Sequence, residues 1–260
     1  MPFAICTVAI MPLRVSSDDR SEMVSQVLFG ESMEILEYYG LNWAHIRMTY
    51  DNYEGWVDPK QFTIIDDTEF ISLDSAKIFY STDVFQLVET QISNSTLPIV
   101  LGSNLPNLKN NKFLFAGNNY KFNGSSVVQN IKSTRKDIVK NAMKYINAPY
   151  LWGGKTPFGV DCSGFTQTVY KLSGVKLLRD ASQQAQQGET INFITDAREG
   201  DLAFFDNEDE NIIHVGIILE DNKIIHASGQ VRIDKIDHQG IFNVDTEKYS
   251  HKLRLVKSYI

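Results

Sequence analysis

Up to about Gly124 the chain alternates short apolar runs with turn residues. The runs cover 6–15, 24–29, 33–39, 43–48, 55–57, 62–65, 78–80 and 84–90, and Ser, Asp, Asn and Gly separate them. Short β-branched and aromatic stretches at this spacing predict small antiparallel barrels. One set of strands closes around 62–67 and a looser set runs from Glu69 to Phe122, which predicts one small barrel at 1–66 and a second barrel or irregular β domain at 67–126. After Asn123-Gly124-Ser125-Ser126 the period becomes helical. Thr134 and Asp137 fit a capping box, and Ile138, Val139, Ala142, Tyr145 and Ile146 follow at helical spacing up to Pro149. A second helix is expected from Ser163, where Phe165, Val169 and Leu172 share a face and Gly174 lies past the end. A third covers 182–187, capped by Asp180 or Ser182 and stopped by Gly188. Strands then dominate at 201–205, 214–219, 223–227, 230–233 and 252–256. Residues 127–260 therefore read as an α+β domain of helices followed by a sheet meander.

The chain has 260 residues, 43% apolar, 22% charged and 11% aromatic, which suits one to two globular domains and excludes intrinsic disorder. Residues 1–130 carry 8 Lys and Arg against 15 Asp and Glu, whereas residues 131–260 carry 17 against 17. The acidic first part and the net charge of -7 argue against nucleic acid as a partner. Cys6 and Cys162 are too few for a disulfide framework. The opening 1–13 is apolar but lacks a basic n-region and an A-x-A-like cleavage site, so it reads as a strand. No run of about 18 apolar residues occurs, so no membrane-spanning helix is predicted. A cytoplasmic monomer is the expectation.

Cys162 stands in Gly159-Val160-Asp161-Cys162-Ser163-Gly164, a turn that opens a helix. The positive end of the macrodipole and free N–H groups there lower a thiol pKa and favour thiolate. The competing reading is a buried, inert cysteine, which suits Cys6 in its apolar strand. A nucleophilic thiol needs a base. His45 reads as a core or surface residue, and His238 and His251, among polar neighbours, as solvated loop positions. His214 and His226 flank the turn Glu220-Asp221-Asn222. If Leu219 pairs with Lys223 across a three-residue loop, both imidazoles project from one face; a two-residue loop puts them on opposite faces. In the first register His214 takes the thiol proton and His226 orients it. Zinc could use the same residues, but the usual short ligand spacings are absent, so neither a metal nor a cofactor is expected.

These residues resemble the NlpC/p60 cysteine peptidases of bacterial cell-wall peptides. The resemblance rests on Pro149-Tyr150-Leu151-Trp152-Gly153-Gly154, Asp161-Cys162-Ser163-Gly164-Phe165, Arg179-Asp180-Ala181-Ser182-Gln183-Gln184, Gly200-Asp201-Leu202-Ala203-Phe204-Phe205, His214-Val215-Gly216-Ile217 and Ile225-His226-Ala227-Ser228. The first part is similar to the bacterial SH3-like domains of the γ-D-glutamyl-L-diamino acid endopeptidases, through residues 20–31 and Tyr53-Glu54-Gly55-Trp56-Val57.

The resemblance implies a papain-like α+β domain at 127–260 behind one or two SH3-like barrels. In it Cys162 is the nucleophile, His214 the base and then acid, and His226 the orienting group. Tyr150 would line the cleft, Asp161 and Ser163 would flank the thiol on the substrate side, and Asp180 would meet the α-ammonium of an N-terminal L-Ala. Glu22 and Tyr53 would help at that end; the competing reading leaves them as solvated and barrel-surface residues. Ala181 departs from relatives that carry Ser there, which loosens the expected specificity. The implied substrate is a murein tri- or tetrapeptide cut between D-Glu and the diamino acid for recycling. Two alternatives are an exported hydrolase of intact wall and a non-catalytic wall-peptide-binding module. No motif separates lysine from diaminopimelate as the diamino acid.

Overall fold

The computed structural model of the chain describes residues 2–90 and 95–260. Met1, the first residue of the strand expected at the opening, and residues 91–94 of the interval 67–126 lie outside the described residues. Contacts divide the chain into two units, Met1–Gln129 and Asn130–Ile260.

In the first unit Phe3–Cys6, Ile10–Arg14, Met23–Leu28, Ser32–Tyr39, Trp43–Met48, Glu54–Val57 and Phe62–Ile65 form one seven-stranded sheet. Alternate positions supply its core, with Met11, Leu13, Val27, Met33, Ile35, Ala44, Ile46 and Val57 buried together, as a half-buried pleated sheet requires. The interval beyond it opens with a helix, Asp67–Asp74, where only strands were expected; Asp66 caps it by accepting the Glu69 N–H at 2.8 Å. A four-stranded and a three-stranded sheet follow. Their core of Val88, Ile99, Leu105, Phe113, Phe115, Tyr120 and Phe122 also takes Ile5 and Ile65 from the first sheet and Phe29 from the turn after Met23–Leu28. Gly30 (φ +77) turns against this second part so closely that a Cβ would fall 2.3 Å from the Asn104 carbonyl oxygen.

The second unit opens with α1 (Arg135–Met143), α2 (Cys162–Leu172) and the single turn α3 (Ala181–Gln184). Thr134 and Asp137 form the expected capping box on α1, but that helix stops at Met143 and turns continue to Asn147 (φ 64). Strand β1 (Glu189–Ile191) is followed by β2 (Leu202–Asp206), β3 (Ile212–Leu219), β4 (Lys223–Ser228), β5 (Gln230–Ile236), β6 (Gly240–Asn243) and β7 (Lys248–Ser258). Strands β2 to β6 pair in chain order, β7 pairs with both β2 and β6, and β1 flanks β7. The meander thereby closes into a six-stranded barrel, and closure removes its free edges.

Helix α2 is buried along its whole length, although its sequence reads as amphipathic. Its polar residues find partners inside: Thr166 Oγ1 donates to Gln184 Oε1 at 2.7 Å, Gln167 Nε2 to the Leu177 carbonyl at 3.2 Å, and Thr168 Oγ1 to the Lys155 carbonyl at 3.3 Å. Polar groups so satisfied can be buried without the desolvation cost of an unmade bond.

Candidate active site

Asp161 starts α2 and its carboxylate is fully engaged. It accepts from the N–H of Gly164 at 2.7 Å and of Gly153 at 2.9 Å, and Arg179 grips it with Nη2 at 2.6 Å and Nη1 at 3.1 Å. Arg179 is only 1% exposed and also donates to Ser163 Oγ at 2.9 Å. Asp161 and Ser163 thus bracket Cys162 in sequence and share the buried guanidinium of Arg179 beneath the helix start. Gly164 lets the preceding loop press onto this turn, since a Cβ there would meet the Gly154 carbonyl oxygen at 2.2 Å.

This framework sets Cys162 at the N-terminus of α2, 7% exposed. Its sulfur faces the backbone N–H of Val215, the residue after His214, and that of Ser163. Burial pushes the thiol up to about 12 and Asp161 adds to the rise, while those N–H groups and Arg179 pull less strongly the other way. The thiolate expected from the helix terminus meets an opposing effect here, because burial disfavours the anion. Tyr150 is half-buried beside the sulfur, and its hydroxyl is pushed up to about 12 by burial, then by Cys162 and Asp161.

The hairpin β3–β4 takes the three-residue loop, with Leu219 opposite Lys223 and Gly216 opposite His226. Asp221 (φ 58) and Asn222 (φ 54) adopt the left-handed conformation that this turn needs. His214 and His226 consequently share a face, and His214 Nε2 lies 2.9 Å from His226 Nδ1. Burial, then His251 and His226, hold His214 well below the ordinary 6.5, so the imidazole is neutral. Burial thus favours the uncharged form of both thiol and imidazole.

Three further residues belong to the cluster and were not singled out from the sequence. Asp234 Oδ2 stands 3.0 Å from His226 Nε2, and Arg232 donates to Asp234 through Nε at 2.7 Å and Nη2 at 2.9 Å. Burial alone would raise the Asp234 carboxyl, but bonds from His226, Arg232 and the Val244 N–H bring it down to about 2. His251, expected in a solvated loop, lies on β7 and stacks on His214 with centroids 4.1 Å apart. The barrel closure between β6 and β7 carries it there. The ring nitrogens of His214, His226 and His251 come within 4.8 Å of one another, a donor set that could hold a metal ion. His214 and His226 already spend a nitrogen each on their mutual bond, and His226 turns its other nitrogen to Asp234. The arrangement suits proton transfer better than ligation.

Asp180 is partly exposed just before α3, where its N–H donates to Gln183 Oε1 at 3.0 Å. Glu22 and Tyr53 belong to the first unit: Glu22 is exposed, and Tyr53 packs against the first core. His45 stacks on Trp56 between Glu37 and Glu54, and His238 is exposed in a turn.

Comparison with known proteins places two domains on the chain. Residues 147–248 match the NlpC/P60 family and residues 13–62 the bacterial dipeptidyl-peptidase SH3 domain. A curated relative, dipeptidyl-peptidase 6 of Lysinibacillus sphaericus, is 27% identical over 91% of this chain and 92% of its own length. The γ-D-glutamyl-L-lysine dipeptidyl-peptidase of Bacillus subtilis is 39% identical over 37% of this chain, a third of that protein. The crystal structure of an NlpC/P60 family protein from Bacillus cereus superposes with a TM-score of 0.85 over 99% of both chains at 19% identity, which shows the shared fold.

Proposed function

We propose that this chain, an NlpC/P60 domain joined to a bacterial dipeptidyl-peptidase SH3 domain, hydrolyses cell-wall peptides between γ-D-Glu and the diamino acid. It is a peptidase, and the bond, the substrate end and the cellular role are what the proposal adds. The observation that carries it is the run of contacts from Asp234 through His226 to His214, beside a thiol that faces the Val215 N–H. His214 takes the Cys162 proton as the sulfur attacks the γ-carbonyl carbon. Backbone N–H groups at the start of α2 receive the developing oxyanion. His214 then gives the proton to the leaving amine of the diamino acid, leaving a thioester on Cys162. Water, deprotonated by His214, releases L-Ala-γ-D-Glu and restores the thiol.

The recycling role requires a free N-terminal L-Ala. Tyr150 lines the cleft in this reading and Asp180 meets the α-ammonium. The names of the Lysinibacillus and Bacillus relatives support this substrate class. Action on released peptides inside the cell follows, because intact wall lacks that free amine. The test is turnover of L-Ala-γ-D-Glu-L-Lys and of its N-acetylated form. Release of L-Ala-γ-D-Glu from the first alone is expected; equal turnover of both contradicts the recycling role, and turnover of neither contradicts the bond assignment.

A further inference from the structure

The direction of proton transfer between the two imidazoles is set outside the pair. We propose that Asp234, clamped by Arg232, is the positioning residue that fixes the tautomers of His226 and His214 and so leaves the His214 Nδ1 lone pair available to the thiol. The inference rests on the proposed role of His214 as base.

The logic follows from counting donors. An ionised carboxylate can only accept. Asp234 Oδ2 accepts from Arg232 Nε at 2.7 Å and lies 3.0 Å from His226 Nε2, while Oδ1 accepts from Arg232 Nη2 at 2.9 Å and the Val244 N–H at 3.3 Å. His226 Nε2 must therefore carry hydrogen. A neutral imidazole has one N–H, so His226 Nδ1 is bare and can only accept. His214 Nε2, 2.9 Å away, must then donate, and its single hydrogen is spent there. The remaining nitrogen, Nδ1, holds a lone pair.

Without the carboxylate the run can reverse. His226 then carries hydrogen on Nδ1 and donates to His214 Nε2, which leaves His214 with hydrogen on Nδ1 and no means of accepting the thiol proton. Both orders satisfy the bond between the imidazoles, so the choice belongs to Asp234. The clamp keeps that choice fixed. Arg232 lies opposite His226 in the β4–β5 register, Asp234 follows two residues on along the same face, and Arg232 also reaches Asp245 at 2.7 Å. The Asp234 side chain is 0% exposed, so water does not compete for its oxygens.

The test uses the full chain and the Asp234→Asn variant, with folding checked by thermal unfolding. An Asn side chain leaves its carbonyl to Arg232 and turns its NH2 toward His226 Nε2, which reverses the run. A fall in kcat of roughly 10²- to 10⁴-fold at little-changed KM is expected, the size seen where an orienting carboxylate sets a catalytic tautomer. A structural role would give the same loss in any background, so the second arm is His226→Ala. With no side chain left to pass a tautomer to His214, adding Asp234→Asn to it should cost less than about threefold in kcat. Equal losses in both backgrounds overturn the inference. Nitrogen-15 NMR of the imidazoles reads the tautomers without substrate: His214 should carry hydrogen on Nε2 in the native chain and on Nδ1 in Asp234→Asn. An unchanged His214 tautomer overturns the inference even if activity falls. A native chain that shows the Nε2–H tautomer but cleaves no peptide contradicts the proposed function alone.

Discussion

The two cysteines occupy opposite surroundings despite sharing one property. Burial pushes both thiols up to about 12. Cys6, in the first unit, donates to the carbonyls of Val8 at 3.3 Å and Val27 at 3.6 Å, and Glu31 pushes its thiol up while a single backbone bond, at Val8, draws it down. Cys162 instead faces the N–H groups of Val215 and Ser163, which favour the anion once the proton leaves. Acidity at rest does not separate the two; the groups that draw each thiol down do, Val8 alone at Cys6 against Val215, Arg179 and Ser163 at Cys162. A reactive sulfur here is one whose pocket stabilises the product of deprotonation and whose backbone partner, Val215, adjoins an imidazole.

The largest consequence is that Cys162→Ala lowers kcat/KM for L-Ala-γ-D-Glu-L-Lys by roughly 10⁴-fold or more, whereas Cys6→Ala leaves it within about twofold. Steady-state kinetics on both variants would break the contrast if they lost activity equally. Next, Arg179→Leu strands the Asp161 carboxylate and should cost about 3–5 kcal/mol of stability, the price of an unpaired buried charge; denaturant unfolding measures it, and a loss below about 1 kcal/mol would mean that the carboxylate is not held by that ion pair.

Much of this organisation is legible in the residues. The Thr134 capping box and the shared parity of His214 and His226 depend on neighbours in sequence, where turn chemistry and strand alternation speak directly. His251 is not legible, because its position depends on β7 pairing with both β2 and β6, and alternation says nothing about which distant strand closes a barrel. Asp234 escapes for a related reason: the strand expected to stop at 233 runs to Ile236, and a single aspartate there looks like the solvated end of a strand. The polar residues of α2 mislead similarly, since only tertiary partners such as Gln184 make their burial affordable.

pH gives a smaller but signed effect. His214 must be neutral to act as base and is held well below 6.5, so kcat should stay level from neutral pH down past 6.5 and fall only in more acidic solution. A midpoint at pH 7 or above in a kcat profile would contradict the neutral resting pair. Stability follows the same sign. The unfolded chain protonates His251 near its ordinary 6.5, the folded chain near about 4, so stability is full above pH 6.5 and declines as pH falls through that interval. Melting temperatures across pH 7 to 4 check it. Smallest of all, Cys6→Ala should destabilise the first unit by about 1 kcal/mol through lost core packing, read by chemical unfolding.

The most direct measurement is acid-quenched mass spectrometry of the chain during turnover of L-Ala-γ-D-Glu-L-Lys. The peptide containing Cys162 should carry the dipeptide as a thioester that is absent from Cys162→Ala. Hydrolysis that proceeds at full rate in Cys162→Ala, with no adduct on the native cysteine, would contradict the account.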